Sequence, residues 1–226
     1  MEPILSCTCN EPEGIVERHV YPFVFSEENI KKFWDNVRKY PKIFGKDTVG
    51  DIEDFLDMFF FVDQNGFWKT EHLFFIIDDF VGTLALTNIY HPYDALMHFT
   101  FYDGRLKGRE ELLREMIKYV INYYGFHRLS AEIPCYAPKN LVRFVNGWYE
   151  KIDANGKVRE IINPVGDKSS LVRKGIGLVL EGRRRKSLFD LKGDLVDVLL
   201  YGVTQEDIKE WEPQRQVQLE AELLPL

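Results

Sequence analysis

The chain has 226 residues, 45% of them hydrophobic and 29% charged, with a formal net charge of −7. That composition belongs to an ordinary globular protein with enough chain to bury a sizeable core, and its surplus of acid excludes a general binder of nucleic acid. Three cysteines, Cys7, Cys9 and Cys135, make no disulfide framework, and no apolar run reaches membrane-spanning length.

From Met1 to Glu17 the sequence lacks periodicity, and residues 1–19 are expected as a flexible arm. The start is acidic and broken by prolines, unlike a signal peptide, so a cytoplasmic protein is expected. Cys7 and Cys9 sit close enough to supply half a zinc site. No second pair follows, so incidental thiols and no metal are the expectation. Val20 to Phe25 alternates weakly as a strand. Ser26 then caps a helix with acids in its first turn, running to about Tyr40. Thr48 or Asp51 caps a second helix, and Asp63-Gln64-Asn65-Gly66 is a turn.

The next segments change character. Glu71–Asp78, Val81–Tyr90 and Ala95–Tyr102 read as three strands with short turns, an antiparallel meander. From Glu110, the apolar residues Leu112, Leu113, Met116, Ile117, Val120, Ile121 and Tyr124 form one stripe of a helix that Gly125 ends. His127–Tyr136 reads as another strand, parallel to its predecessor because a helix separates them. Pro138–Ile152 reads as a helix weakened by Gly147. Residues 153–168 form a polar hairpin or inserted loop, and Ser169–Lys174 a short helix. Gly177–Lys186 and Asp194–Tyr201 are two final strands around a turn at Asp190. A helix starts at Thr204, and residues 212–226 form a tail. The expected class is α+β, with a mixed, mostly antiparallel sheet flanked by helices in one domain over residues 20–211.

Between the strand ending at Tyr102 and the helix lie Arg105, Leu106, Lys107, Gly108, Arg109 and Glu110. Backbone amides, the helix dipole and three cations would converge there on an anion, with Gly108 allowing close approach. The same residues also suit a plain surface turn. The P-loop and three-glycine dinucleotide patterns are absent.

This segment resembles the GNAT N-acetyltransferases, whose loop after the fourth strand reads [Arg/Gln]-x-x-Gly-x-[Gly/Ala] and binds the pyrophosphate of acetyl-CoA. Arg105 and Gly108 match, and Glu110 stands in place of the small residue. YYGFHRLSAEI, Asn140, WYEKI and the segment from Gly177 to Thr204 are similar to later parts of the family's ribosomal-protein acetyltransferases, in the same order. Residues 153–168 then look like an insertion.

The resemblance implies acetyl-CoA as cosubstrate and no metal. It implies direct transfer to a primary amine of a small molecule or protein, or else a non-catalytic relative used for binding. Phe101, Tyr102, residues 105–110 and Asn140 would hold the cofactor. Tyr149, from its Tyr-Glu-Lys context, would protonate the departing thiolate, unless Ser169–Lys174 is the true fourth helix and Arg173 takes its place. Glu132 is either the base or a carboxylate on a solvated strand face. His98 reaches the cleft or packs, and Cys135 reads as a small buried hydrophobe. Arg183-Arg184-Arg185-Lys186 is a solvated strand end or attracts an anion. A second copy of the chain, as a homodimer, is the other expected partner.

Overall fold

The computed structural model describes residues 2–11, 14–39, 51–102, 108–152, 157–161, 171–190 and 192–211. Eight strands form the main sheet in the order β1-β2-β5-β6-β7-β8-β13-β12. They are β1 (Leu5–Glu11), β2 (Gly14–Pro22), β5 (Leu73–Ile77), β6 (Gly82–Tyr90), β7 (Asp94–Phe101), β8 (Arg128–Pro134), β12 (Val179–Phe189) and β13 (Leu195–Thr204). Every neighbouring pair is antiparallel except β7 and β8. That exception follows from the crossover through α3 (Arg109–Tyr124), which returns the chain in the same direction.

The sheet buries both faces. On one, the stripe Leu112, Leu113, Met116, Ile117, Val120 and Ile121 of α3 packs on Phe75, Ile77, Leu84, Leu86, Met97, Leu129 and Ala131. Each such side chain contributes about 1.5–3 kcal/mol. On the other face lie α1 (Glu27–Val37), capped by Ser26, and α2 (Ile52–Phe59), capped by Asp51. Their Phe33, Trp34 and Phe55 join Phe23, Phe60, Phe74 and Phe80 in an aromatic second core with ring centroids 5.2–6.5 Å apart. A small hairpin, β3 (Phe61–Val62) and β4 (Trp68–Lys69), turns around Asp63. The strands expected over residues 71–102, the helix from residue 109 and the strand before Tyr136 are all present.

Three expectations are corrected. Residues 5–22 are a β-hairpin at the sheet edge, not a loose arm: Val20 pairs with Ile77, and Arg18 bridges to Asp78 at 2.8 Å. Residues 138–152 are not one helix. The helix α4 (Lys139–Asn146) stops at Gly147, whose φ of 72° is left-handed, and Trp148–Ile152 is strand β9. Within the expected short helix 169–174, Val172–Lys174 is strand β11. With β10 (Val158–Ile161), these strands make a separate antiparallel sheet in the order β10-β9-β11; within the stretch expected as a hairpin or inserted loop, the described residues give the strand β10 paired with β9. Its seat is close: a Cβ on Gly175 would lie 2.7 Å from Gly147 Cα and from the Phe144 carbonyl. The last helix, α5 (Gln205–Lys209), has a capping box between Thr204 and Asp207. Residues 212–226 lie outside the described residues.

Candidate active site

The parallel pair β7 and β8 share a single registered pair, Leu96 with Ser130, and then diverge. Each keeps its outer partner, β6 for β7 and β13 for β8. Beyond Leu96 and Ser130, the gap between them opens a cavity of about 530 Å³. Four consecutive residues of each strand line it, Met97 to Thr100 and Ala131 to Pro134. Consecutive strand residues point to opposite faces, so this cavity is a slot through the sheet rather than a groove on one side. On the α3 face its wall is apolar, with Met97, Phe99, Ile133 and Leu141. His98, Glu132, Tyr136, Asp190 and Lys192 add polar groups.

His98 Nε2 lies 2.9 Å from Thr87 Oγ1. Thr87 is 7% exposed, so this hydroxyl is a buried, fixed partner. Crowding by protein, with His72 nearby, pushes the His98 pKa down to about 4. The residue is nonetheless exposed at the cavity wall. Hydration from the open side opposes part of that fall, and the imidazole is neutral at pH 7 in either case. Glu132, midway along β8, ion-pairs with Arg184 of β12 at 2.8 Å. Burial, and then Asp190, push the Tyr136 phenol up, so it holds its proton. Cys135 is exposed, not a buried hydrophobe.

The expected cofactor loop is described in part. Residues 105–107 lie outside the described residues. Gly108, which has no side chain to cap with, is the N-cap of α3, at φ 70°. Its carbonyl accepts from Glu111 and Leu112 N–H, both at 3.1 Å. Arg109 lies 5.4 Å above the Phe144 ring, and Glu110 and Glu111 occupy the first turn. Phe101 and Tyr102 close β7, with the Tyr102 hydroxyl 3.3 Å from Thr83 Oγ1. Asn140 is exposed in the first turn of α4 and does not line the slot.

Tyr149 is elsewhere. On β9, it pairs with Ile161 and Arg173 and borders a second cavity of about 800 Å³ beyond α4. The Arg173 guanidinium lies 5.7 Å from its ring and 5.6 Å from that of Trp211. Tyr149 and Glu132 therefore line different cavities, and no single site joins them. Of the basic run, Arg183 and Arg184 pair with Asp197 and Glu132. Sequence reasoning missed Tyr136, Asp190, Lys192, Thr87 and His72. Tyr136 follows β8, while Asp190 and Lys192 reach the slot from between β12 and β13, and no local pattern announces that.

No family model and no curated protein sequence matches the chain. Solved structures do. Ribosomal-protein-S5-alanine acetyltransferase from Vibrio fischeri superposes at a TM-score of 0.51 with 14% identity, over 87% of this chain and 96% of that one. Spermidine N-acetyltransferase from Vibrio cholerae, in complex with CoA and spermine, gives 0.53 with 13% identity, over 84% and 98%. A dodecameric structure of the Vibrio cholerae enzyme gives 0.54 with 11% identity, over 86% and 98%. With its diverging parallel strands, its α3 crossover and these neighbours, the chain has the fold of the GNAT N-acetyltransferases.

Proposed function

We propose that the protein is an acetyl-CoA-dependent N-acetyltransferase that transfers an acetyl group directly to a primary amine of a small molecule or protein. The observation that carries this is the slot between β7 and β8, which opens toward the strand end that leads into α3. Diverged strands leave backbone amides along the slot without ladder partners. Such amides accept an extended pantetheine arm and stabilise the oxyanion that forms on the thioester carbonyl. The pyrophosphate falls to residues 105–110, where the start of α3 supplies amides and dipole. Acetyl-CoA supplies the activated acyl group, and the chain's residues hold and orient it.

Glu132 is the carboxylate of this site. Its pairing with Arg184 suits it to drawing in and orienting a cationic amine more than to removing a proton. Tyr149 takes no part, because it borders the other cavity. A neighbour bound to CoA and spermine supports a cationic amine as acceptor class, and a ribosomal-protein enzyme supports a protein amine.

A second reading, a binding protein without transfer, draws on Glu110, a carboxylate beside the expected pyrophosphate. Acetyl-CoA at 100 times its Kd should stabilise the protein by about 2.7 kcal/mol, read as a rise in Tm. No rise at millimolar acetyl-CoA overturns both the cofactor site and the transfer reading. Gly108→Asp should abolish the rise while the fold persists. Thiol release with spermidine, an aminoglycoside and a peptide bearing a free N-terminal alanine separates transfer from binding alone.

A further inference from the structure

Once Tyr149 is removed from the reaction and Glu132 is engaged by Arg184, the slot needs another group to move the proton. His72 directly precedes β5, and Thr87 and His98 lie on the next two strands, β6 and β7. Phe74, Ala85 and His98 pair in one row across the α1–α2 face; Thr87 lies two residues beyond Ala85 and His72 two residues before Phe74, so both share that face and Thr87 is diagonal to His98. Of the three, His98 lines the slot and the others do not. Its Nε2 is held by the buried Thr87 hydroxyl, and its Nδ1 has no hydrogen-bond partner among the described residues. His72 sits behind it, against Phe59 and Phe74, with Nδ1 buried and without a partner. A second imidazole that close disfavours a resident charge on His98. The charged and titratable groups around the same slot are Glu132, paired to Arg184, with Tyr136, Asp190 and Lys192.

We infer that His98 is the proton acceptor of the transfer reaction and that Thr87 is its positioning residue; this rests on the N-acetyltransferase reading above. Nε2–H donates to Thr87 Oγ1, which leaves the Nδ1 lone pair for the substrate. The neutral amine nitrogen attacks the thioester carbonyl carbon, forming the C–N bond and an oxyanion held by strand amides. Bond formation makes the nitrogen's proton far more acidic, so a weakly basic imidazole suffices to take it at Nδ1. The C–S bond then breaks, and the imidazolium returns the proton to the thiolate sulfur. Nitrogen and sulfur share one carbon at that moment, so one ring serves both transfers. The products are the amide and free CoA thiol, and His98 ends neutral. An acceptor that arrives as an ammonium releases one further proton to solvent before attack.

The test uses the full chain, acetyl-CoA, and spermidine or the N-terminal-alanine peptide as acceptor, with thiol release and the acetyl-CoA Tm shift measured together. His98→Gln and His98→Ala should each lower kcat about 100-fold while keeping the wild-type Tm shift, as removal of a general base does. Added imidazole should restore part of the His98→Ala rate. Thr87→Val should lower kcat by about tenfold, with no change in the Tm shift, through loss of the tautomer bias. Wild-type kcat in the His98 variants, with the Tm shift retained, overturns the inference and leaves the transfer reading standing. No thiol release by the wild type with any acceptor overturns the transfer reading, and this inference falls with it. A His98→Gln variant that fails to fold leaves His98→Ala, with its rescue by imidazole, to decide.

Discussion

Two cavities flank α4, and they are made in opposite ways. The slot arises from strands: β7 and β8 separate, and eight consecutive-strand residues, apolar on one face and polar on the other, wall it. The second cavity arises from the small sheet β10-β9-β11 laid against α4 and α5, with walls of arginine, carboxylate and indole. The second is larger, about 800 Å³ against about 530 Å³. Size nevertheless argues nothing about chemistry. In the second cavity the charged groups are engaged: Arg143 pairs with Glu160, Asp207 serves the cap of α5, and Arg173 donates to the Gly177 carbonyl at 2.9 Å, while the Trp211 indole N–H is buried with no hydrogen-bond partner among the described residues. In the slot, His98 Nδ1 has no hydrogen-bond partner among the described residues. Unfilled bonding capacity on a group able to carry a proton, rather than volume, marks where the reaction belongs.

The largest effect expected from breaking this contrast lies at the seat of the small sheet. Gly175 is left-handed, at φ 70°, and an added Cβ would meet backbone at 2.7 Å on two sides. Gly175→Ala should cost about 3 kcal/mol from backbone strain and overpacking together, seen as a lower urea midpoint. The acetyl-CoA Tm shift should survive in the folded fraction, because the slot's walls come from β7 and β8. Loss of that shift would mean that the two cavities are not independent.

Next in size is a direct block of the slot. Leu141 stands on α4 at its apolar wall. Leu141→Trp should fill the space and erase the Tm rise, which is worth about 2.7 kcal/mol in the wild type at 100 times Kd. Its Tm without ligand should change little, since Leu141 is only partly buried. A retained rise would move the cofactor out of the slot.

What was legible in the sequence follows the same division. The α3 stripe, the meander and the β7–α3–β8 crossover were readable because each buries a full face and so carries an unbroken period. Ser26 and Thr204 were readable because caps are local. The edge hairpin was not: β1 has polar residues at alternate positions, and among the described residues of the hairpin Ile4, Leu5, Cys7 and Val20 touch the α3 core, too few to print a period. Strand β9 was hidden by a helix that ends in mid-motif, at a glycine whose left-handed φ leaves no trace in composition. The slot's strands were readable as strands, but their divergence is a property of pairing. The wrong placement of Tyr149 followed from that hidden break: one residue's conformation at Gly147 carried the ring from a helix beside the slot to a strand beside the other cavity.

A smaller effect separates His98 from its neighbours through pH. Its pKa falls from 6.5 in the unfolded chain to about 4 in the folded one. Between those values the unfolded chain binds a proton that the folded chain refuses, so stability drops as pH falls through that window and is complete above it. The open side of the ring makes the drop smaller than full burial would give. Urea midpoints at pH 7 and pH 4.5 should therefore differ less in His98→Gln than in the wild type. Equal pH dependence in the two proteins would show that the ring is hydrated and contributes no such penalty.

The smallest effect is expected where the second cavity looks richest. Arg143 pairs with Glu160 and lies 4.2 Å from the Trp148 ring centroid. Both charged side chains are well exposed, so their ion pair should be worth no more than about 1 kcal/mol and should weaken with salt. Stacking on the indole adds about 0.5–1 kcal/mol that salt barely touches. Arg143→Ala should then cost slightly more than Glu160→Ala, and the double variant should cost no more than Arg143→Ala plus a few tenths. Neither should alter the acetyl-CoA Tm shift, because neither residue reaches the slot. A double-mutant cycle at low and high salt reads all of this. A coupling that persists in salt, or a lost Tm shift, would mean that the arginine serves a bound ligand and that this cavity is not closed by its own partners.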